Sequence, residues 1–170
     1  MAKNTPRIRK SPRATGVATA QVAGGKRRAP ELDRLEAFIG RWITEGETIR
    51  GAQGDVTQIV ASDVYQWLPG GHFVMHPAYG RIGSVEVGGL EVIGYDPATR
   101  EYRTHFFDSQ GNIVTETLSY LDGTWTWQGA HARCTGVFTE GGKVLTARHE
   151  RSDDGVHWAP SMTVRLRKIE

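Results

Sequence analysis

The chain has 170 residues, with 21 Lys and Arg against 19 Asp and Glu for a formal charge of +2; this length suits one domain with a moderate core and makes a second full domain improbable. A single cysteine, Cys134, rules out an intramolecular disulfide framework and a cysteine-cluster metal site. No apolar run approaches membrane-spanning length and the Arg-rich start lacks the apolar stretch of a secretory signal, so cytoplasmic residence is the default expectation.

The small net charge hides an asymmetry. Residues 1–29 carry Lys3, Arg7, Arg9, Lys10, Arg13, Lys26, Arg27 and Arg28 and no carboxylate, while every acid lies in 30–170. The basic segment is poor in large apolar side chains, and that composition predicts a disordered tail ahead of the domain. A basic arm touching nucleic acid or anionic lipid is the sharper alternative, with no interleaved aromatics or binding module to support a specific nucleic-acid partner. An organellar transit peptide has the same Arg-rich, acid-free composition.

From Pro30 to Gly40 the pattern predicts a short helix. Pro30 suits a first turn, Glu31 and Asp33 lie near the N-terminus, and Gly40 can take the position after the last turn. Leu32, Leu35, Phe38 and Ile39 give it one apolar face. A helix of this kind, entering a β domain, is expected to plug or cover one end.

After Gly40, short β-prone runs are punctuated by Pro69-Gly70-Gly71, Gly88-Gly89, Asp96-Pro97, Gln110-Gly111, Asp122-Gly123, Gly141-Gly142 and Asp154-Gly155. Turn signals mostly about a dozen residues apart, with no further helical period, indicate an all-β, up-and-down antiparallel β-barrel of about ten strands over residues 30–170. Closure removes the exposed edges such a sheet would otherwise present.

Tight turns set register, and register sets faces. Across Asp122-Gly123, Tyr120 should oppose Trp125 and Leu118 should oppose Trp127, with Glu116 on the same inner face. The other face, with Thr115, Thr117, Ser119, Thr124, Thr126 and Gln128, should meet solvent. Across Gly141-Gly142, Phe138 should oppose Leu145, Gly136 Ala147 and Cys134 His149, so His149 should face inward. Across Asp154-Gly155 the expected partners are Arg151 with Trp158, Ala147 with Met162 and Leu145 with Val164, and Pro160 is a candidate bulge. Around Pro69-Gly70-Gly71 a three-residue loop aligns Trp67 with Phe73 and Tyr65 with Met75. That choice turns His72 and His76 away from the aromatic set.

The helix followed by Phe38-Ile39-Gly40-Arg41-Trp42 at the head of an antiparallel run resembles the G-x-W opening of lipocalins and other calycins. The resemblance implies a tryptophan on the barrel floor covered by a basic residue of a late strand, a place for Arg165 or Arg167. Gly40-Arg41-Trp42, Gly94-Tyr95-Asp96-Pro97, Phe107-Asp108 with Gly111, and Asp122-Gly123 are together similar to a bacterial lipocalin-like family known only as a domain of unknown function. That resemblance spans residues 30–170 and implies a fold that holds small, mostly apolar molecules, with no catalytic residue to carry over. The haem-binding nitrobindin branch is more distantly similar. Its proximal histidine lies in the last strand, where this chain has Ser161-Met162-Thr163, and its further glycines are only partly kept in Gly40-Arg41-Trp42-Ile43-Thr44-Glu45-Gly46.

The expected ligand lining is therefore Tyr65, Trp67, Phe73, Met75, Glu116, Leu118, Tyr120, Trp125, Trp127 and His149. Aromatic surface with a few polar tips is what small-molecule pockets use, although small barrels also fill their interiors with such side chains. An inward carboxylate and imidazole make Glu116 and His149 the candidate acid and base of a barrel enzyme, which is the alternative to binding alone. Haem ligation through His149 is a further alternative to a cofactor-free barrel. Cys134 beside a histidine on an apolar face reads as a core residue rather than a nucleophile. His72 and His76 are spaced too far apart along a strand for a compact metal pair, and His105, His131 and His157 lack a partner at a telling spacing. The expected partner is a small apolar or aromatic ligand; a homodimer is compatible with the sequence.

Overall fold

A computed structural model describes residues 27–50 and 55–170. The basic segment 1–26, on which the expectation of a disordered tail falls, lies outside the described residues. Among the described residues a 3-10 helix, Pro30–Ala37, precedes ten strands: β1 (Gly40–Arg50), β2 (Asp55–Trp67), β3 (Phe73–Ile82), β4 (Val85–Asp96), β5 (Glu101–Asp108), β6 (Ile113–Leu121), β7 (Thr124–Gln128), β8 (Ala132–Thr139), β9 (Val144–Arg151) and β10 (Ala159–Lys168). Each strand pairs antiparallel with the next, and β1 pairs with β10, so the sheet closes into a barrel.

The helix expected over Pro30–Gly40 forms as 3-10 turns with Leu32, Leu35 and Phe38 wholly buried. It stoppers the end of the barrel where β1 begins. Phe38 is the centre of that stopper, with ring centroids 5.0 Å from Trp125, 5.0 Å from Phe138, 5.4 Å from Tyr65 and 5.8 Å from Trp127. The contacts with Trp125, Trp127 and Phe138 are edge-on and that with Tyr65 is tilted, and aromatic pairs of this kind add about 0.5–1.5 kcal/mol each beyond area burial. Polar tips pin the helix as well. Trp42 Nε1 donates to the Phe38 carbonyl at 2.8 Å, Trp67 Nε1 donates to Glu36 Oε2 at 2.8 Å, and the Tyr102 hydroxyl donates to the Glu31 carbonyl. Arg28 joins this end too, donating to the Gly71 carbonyl at 2.8 Å with its guanidinium over the Trp67 ring.

Gly40 shows why the G-x-W opening needs its glycine. Its φ is +139°, and a Cβ there would stand 2.3 Å from the Glu170 carbonyl oxygen. The close approach lets the Arg41 amide donate to that oxygen at 3.0 Å, which zips the chain's last residues onto β1. Lys168, with its Nζ 5.2 Å from the Trp42 ring, is the cation over the floor tryptophan. The expected Arg165 and Arg167 both point outward and are exposed, Arg165 pairing with Glu140 at 2.9 Å. Strand alternation decides this, since the inward members of β10 are Met162, Val164, Leu166 and Lys168.

The β6–β7 and β8–β9 hairpins have the expected registers, including Tyr120 opposite Trp125, Leu118 opposite Trp127 and Cys134 opposite His149. Asp122 and Gly123 both take positive φ, 48° and 82°, the pattern of a two-residue turn whose twist matches the strands. Two registers differ from expectation. Arg151 pairs with Ala159, His149 with Met162, Ala147 with Val164 and Leu145 with Leu166, with a bulge between Pro160 and Met162. The connection there is a longer loop, gathered by the Asp154 carboxylate accepting from the Val156 and His157 amides at 2.8 Å each. The loop adds one residue and the bulge another, so the same side chains still face inward.

The second difference reverses a face. Leu68 donates to the Phe73 carbonyl at 2.8 Å, Trp67 pairs with Val74 and Gln66 with Met75. The loop therefore has four residues rather than three, and a slip of one residue exchanges the two faces of β3. Val74 and His76 face inward; Phe73 and Met75 face outward. Phe73 is half-exposed and lies on Gly94, where a Cβ would come within 2.7 Å of its ring.

Candidate functional site

The barrel interior has three levels. Next to the helix it is an aromatic floor, with Phe38, Trp42 and Trp125 all at most 1 % exposed. Tyr65, Leu118, Trp125 and Trp127 face inward as expected, and the structure packs them into or directly above this floor. Trp67 and Tyr120 lie at its edge. Tyr120 stays 42 % exposed, its ring 4.8 Å from Trp125 and 5.9 Å from the Arg34 guanidinium. Phe73 and Met75 do not belong to the lining, because the one-residue slip places them outside. Two open clefts of about 550 and 480 Å³ also lie at the helix end, the larger between Arg28, Trp67 and the Pro69–Gly71 turn and the smaller between Arg28, Tyr95 and Arg100.

The middle level is polar and was not foreseen from the sequence. His76 of β3 bridges two carboxylates, with Nε2 2.9 Å from Asp63 Oδ1 of β2 and Nδ1 2.9 Å from Glu91 Oε2 of β4. All three side chains are buried. With a carboxylate on each ring nitrogen, both nitrogens donate and the ring is an imidazolium. Burial opposes that charge, but the hydrogen bonds and charges of Asp63 and Glu91 outweigh it and raise the His76 pKa to about 9. Tyr65 stacks on the imidazolium with centroids 3.7 Å apart and planes 12° from parallel. The Thr44 hydroxyl donates to Asp63 Oδ2, and Trp127 Nε1 donates to Glu91 Oε1 at 3.1 Å. The six residues of the cluster come from inward positions of β1, β2, β3, β4 and β7, with Asp63 and Tyr65 sharing β2, so the network ties five strands together across the barrel axis. It is no metal centre, since both imidazole nitrogens are already engaged.

A signal for the cluster does exist in the sequence. Asp63 lies two residues before Tyr65, and Glu91 two before Ile93, in phase with inward apolar positions. Carboxylates in that phase call for a buried partner. The partner was hidden because His76 was assigned to the wrong face.

The far level, at the end opposite the helix, holds Glu116 and His149. Inward side chains here keep partial exposure: Phe106, Glu116, His149 and Met162 are half-buried, unlike the closed floor. His149 Nε2 is 3.5 Å from Cys134 Sγ. Burial, with help from the Arg151 charge, lowers the His149 pKa to about 4, so the ring is neutral. Burial, then the Glu116 and Glu91 carboxylates, push the Cys134 thiol well up, which makes it a core residue rather than a nucleophile. Glu116 has its pKa raised to about 7 by burial and by Glu91. It pairs across the strands with Thr104, whose hydroxyl is buried without a hydrogen-bond partner.

A closed ten-stranded antiparallel barrel, stoppered by an N-terminal helical turn with a cation over its floor tryptophan, is a lipocalin-like barrel. Within that class the chain belongs to DUF1579, a family described as proteins of unknown function, whose profile matches residues 28–163. No curated protein matches it in sequence. Its fold is similar to that of Rv2717c from M. tuberculosis, at 10 % identity and a TM-score of 0.59 over 85 % of this chain and 100 % of that one. It is also similar to the S-type phycobiliprotein lyase CPES from Guillardia theta, at 9 % identity and a TM-score of 0.52 over 84 % of this chain and 94 % of the other. Among the described residues no helix is long and apolar enough to cross a membrane.

Proposed function

We infer that the barrel binds a small hydrophobic or aromatic molecule, admitted at the end opposite the helix. One observation carries this reading: the floor residues Phe38, Trp42 and Trp125 at the helix end are sealed, whereas Phe106, Glu116, His149 and Met162 at the other end remain partly accessible. A stoppered barrel with one accessible, mixed apolar and polar end has the shape of a ligand cup. The similar fold of a phycobiliprotein lyase adds support by analogy only. The lining under this reading is narrower than the aromatic set expected from sequence, with Glu116 and His149 retained and the tryptophans serving as its base. Native mass spectrometry of the protein purified from its own host tests it. A retained small molecule, displaced by an apolar dye that quenches tryptophan fluorescence, is the expected result. No retained molecule and no dye uptake would overturn the reading.

The enzyme reading rests on a separate observation. Burial, with help from the Glu91 charge, raises the Glu116 pKa to about 7, where a carboxyl can give and take a proton near neutrality. Under it, Glu116→Gln abolishes a turnover while leaving ligand affinity nearly intact. We read His149 as a core residue rather than a haem ligand, because the Nε2 that an axial ligand would offer lies 3.5 Å from Cys134 Sγ. A Soret band in purified protein would refute that conclusion.

A further inference from the structure

Resting on the binding reading, we propose that the ligand carries a basic nitrogen, an ammonium or amidinium on an apolar or aromatic body, received by Glu116 and Thr104 on the inner face of β5 and β6. The two residues are direct cross-strand partners. Thr104 is 1 % exposed and its Oγ1 is buried with no hydrogen-bond partner. Buried hydroxyls are nearly always satisfied in native proteins, so an orphan paired with the partly exposed Glu116 calls for a visiting group. Glu116 stands beside it without any hydrogen bond or ion pair among the described residues, and its carboxylate lies against the backbone of Gly129, where a Cβ would crowd Oε1 at 3.2 Å.

The charges around this pair agree in sign. Asp63 and Glu91 also face the interior and are neutralised only in part, by the single imidazolium of His76 that they share. His149 is neutral and Cys134 is a thiol, so neither offers Glu116 a cation. Arg151 lies at the end of β9 and is exposed. An inner wall with a surplus of carboxylate repels anionic ligands and holds a cation through charge-assisted hydrogen bonds. Such bonds are strong where water is scarce. The Thr104 hydroxyl can accept a second N–H, so an ammonium satisfies two otherwise idle acceptors at once.

The test uses three matched probes on the full chain: phenethylamine, phenylacetate and ethylbenzene, with their naphthyl counterparts, each titrated at pH 8 by tryptophan fluorescence and calorimetry. The expected order is amine first, tighter than the neutral probe by about tenfold, with the carboxylate weakest. Glu116→Gln should erase the difference between amine and neutral probe, and Thr104→Val should reduce it while the barrel stays folded by circular dichroism. Equal binding of the amine and the neutral probe, or a preference that survives both substitutions, overturns the proposal but leaves the ligand cup standing. If none of the probes binds, in either size, the binding reading falls with it.

Discussion

His76 illustrates how one side chain can hold a barrel together from the inside. Its imidazolium sits between Asp63 and Glu91 at 2.9 Å on each side, and removing it leaves two carboxylates facing each other without water. Breaking a buried pair in this way costs about 3–5 kcal/mol. His76→Leu is therefore expected to lower stability by that amount in urea denaturation, far more than an ordinary surface change. Glu116 acts in the opposite direction. Its folded pKa of about 7 stands above the ordinary 4.5, so the folded state favours the protonated acid, an advantage present below about 4.5 and lost as pH climbs through 7. Glu116→Gln should raise the melting temperature at pH 8 and change it little at pH 4, as thermal denaturation at the two pH values would reveal.

At the scale of elements, the 3-10 helix and the turns decide what the strands can enclose. Leu35 of the helix is wholly buried in the stopper, and Leu35→Ala should cost about 2–5 kcal/mol, the range for emptying a core leucine site. Because the helix seals the floor, the same variant should also speed hydrogen exchange of the Trp42 and Trp125 indoles. Gly40 is less forgiving than a turn glycine at the surface. With φ at +139° and a backbone oxygen 2.3 Å from any added Cβ, Gly40→Ala must push the C-terminal residues off β1. Loss of stability together with faster amide exchange at Arg41 and Ile169 is the expected signature. The loop between β2 and β3 matters for a different reason. One residue more in that turn converts a surface histidine into the hub of the interior.

Across the whole molecule, opposing titrations should place maximal stability slightly on the acid side of neutral. His149, lowered to about 4, contributes stability that is present above about 6.5 and lost as pH falls toward 4. His76, raised to about 9, contributes stability that is full below about 6.5 and lost as pH rises through 9, a swing of about 3 kcal/mol by linkage. Denaturation midpoints measured from pH 4 to pH 10 should fall on the alkaline side between those values. In a His76→Gln protein that alkaline limb should flatten. Closure of β1 onto β10 leaves no free sheet edge, so water reaches the interior charges only from the barrel ends and the His76 cluster keeps its pairing.

Much of this architecture follows from the sequence alone. Turn residues at regular spacing and clean alternation across Asp122-Gly123 and Gly141-Gly142 were enough to place Trp125, Trp127, Glu116, Cys134 and His149 on the inner face, because two-residue turns leave only one register. The stoppering helix was legible from Pro30, its first-turn acids and its apolar stripe. What tertiary structure alone decided is the polar centre. The Pro69–His72 loop could close with three residues or four, local chemistry favoured neither, and only packing of Val74 against the floor and pairing of His76 with Asp63 and Glu91 selected the register. For the same reason Lys168, rather than Arg165 or Arg167, covers Trp42: the phase of β10 is set by its bulge at Pro160 and by its neighbours β9 and β1, and long-range pairing of that kind leaves no trace in a local pattern.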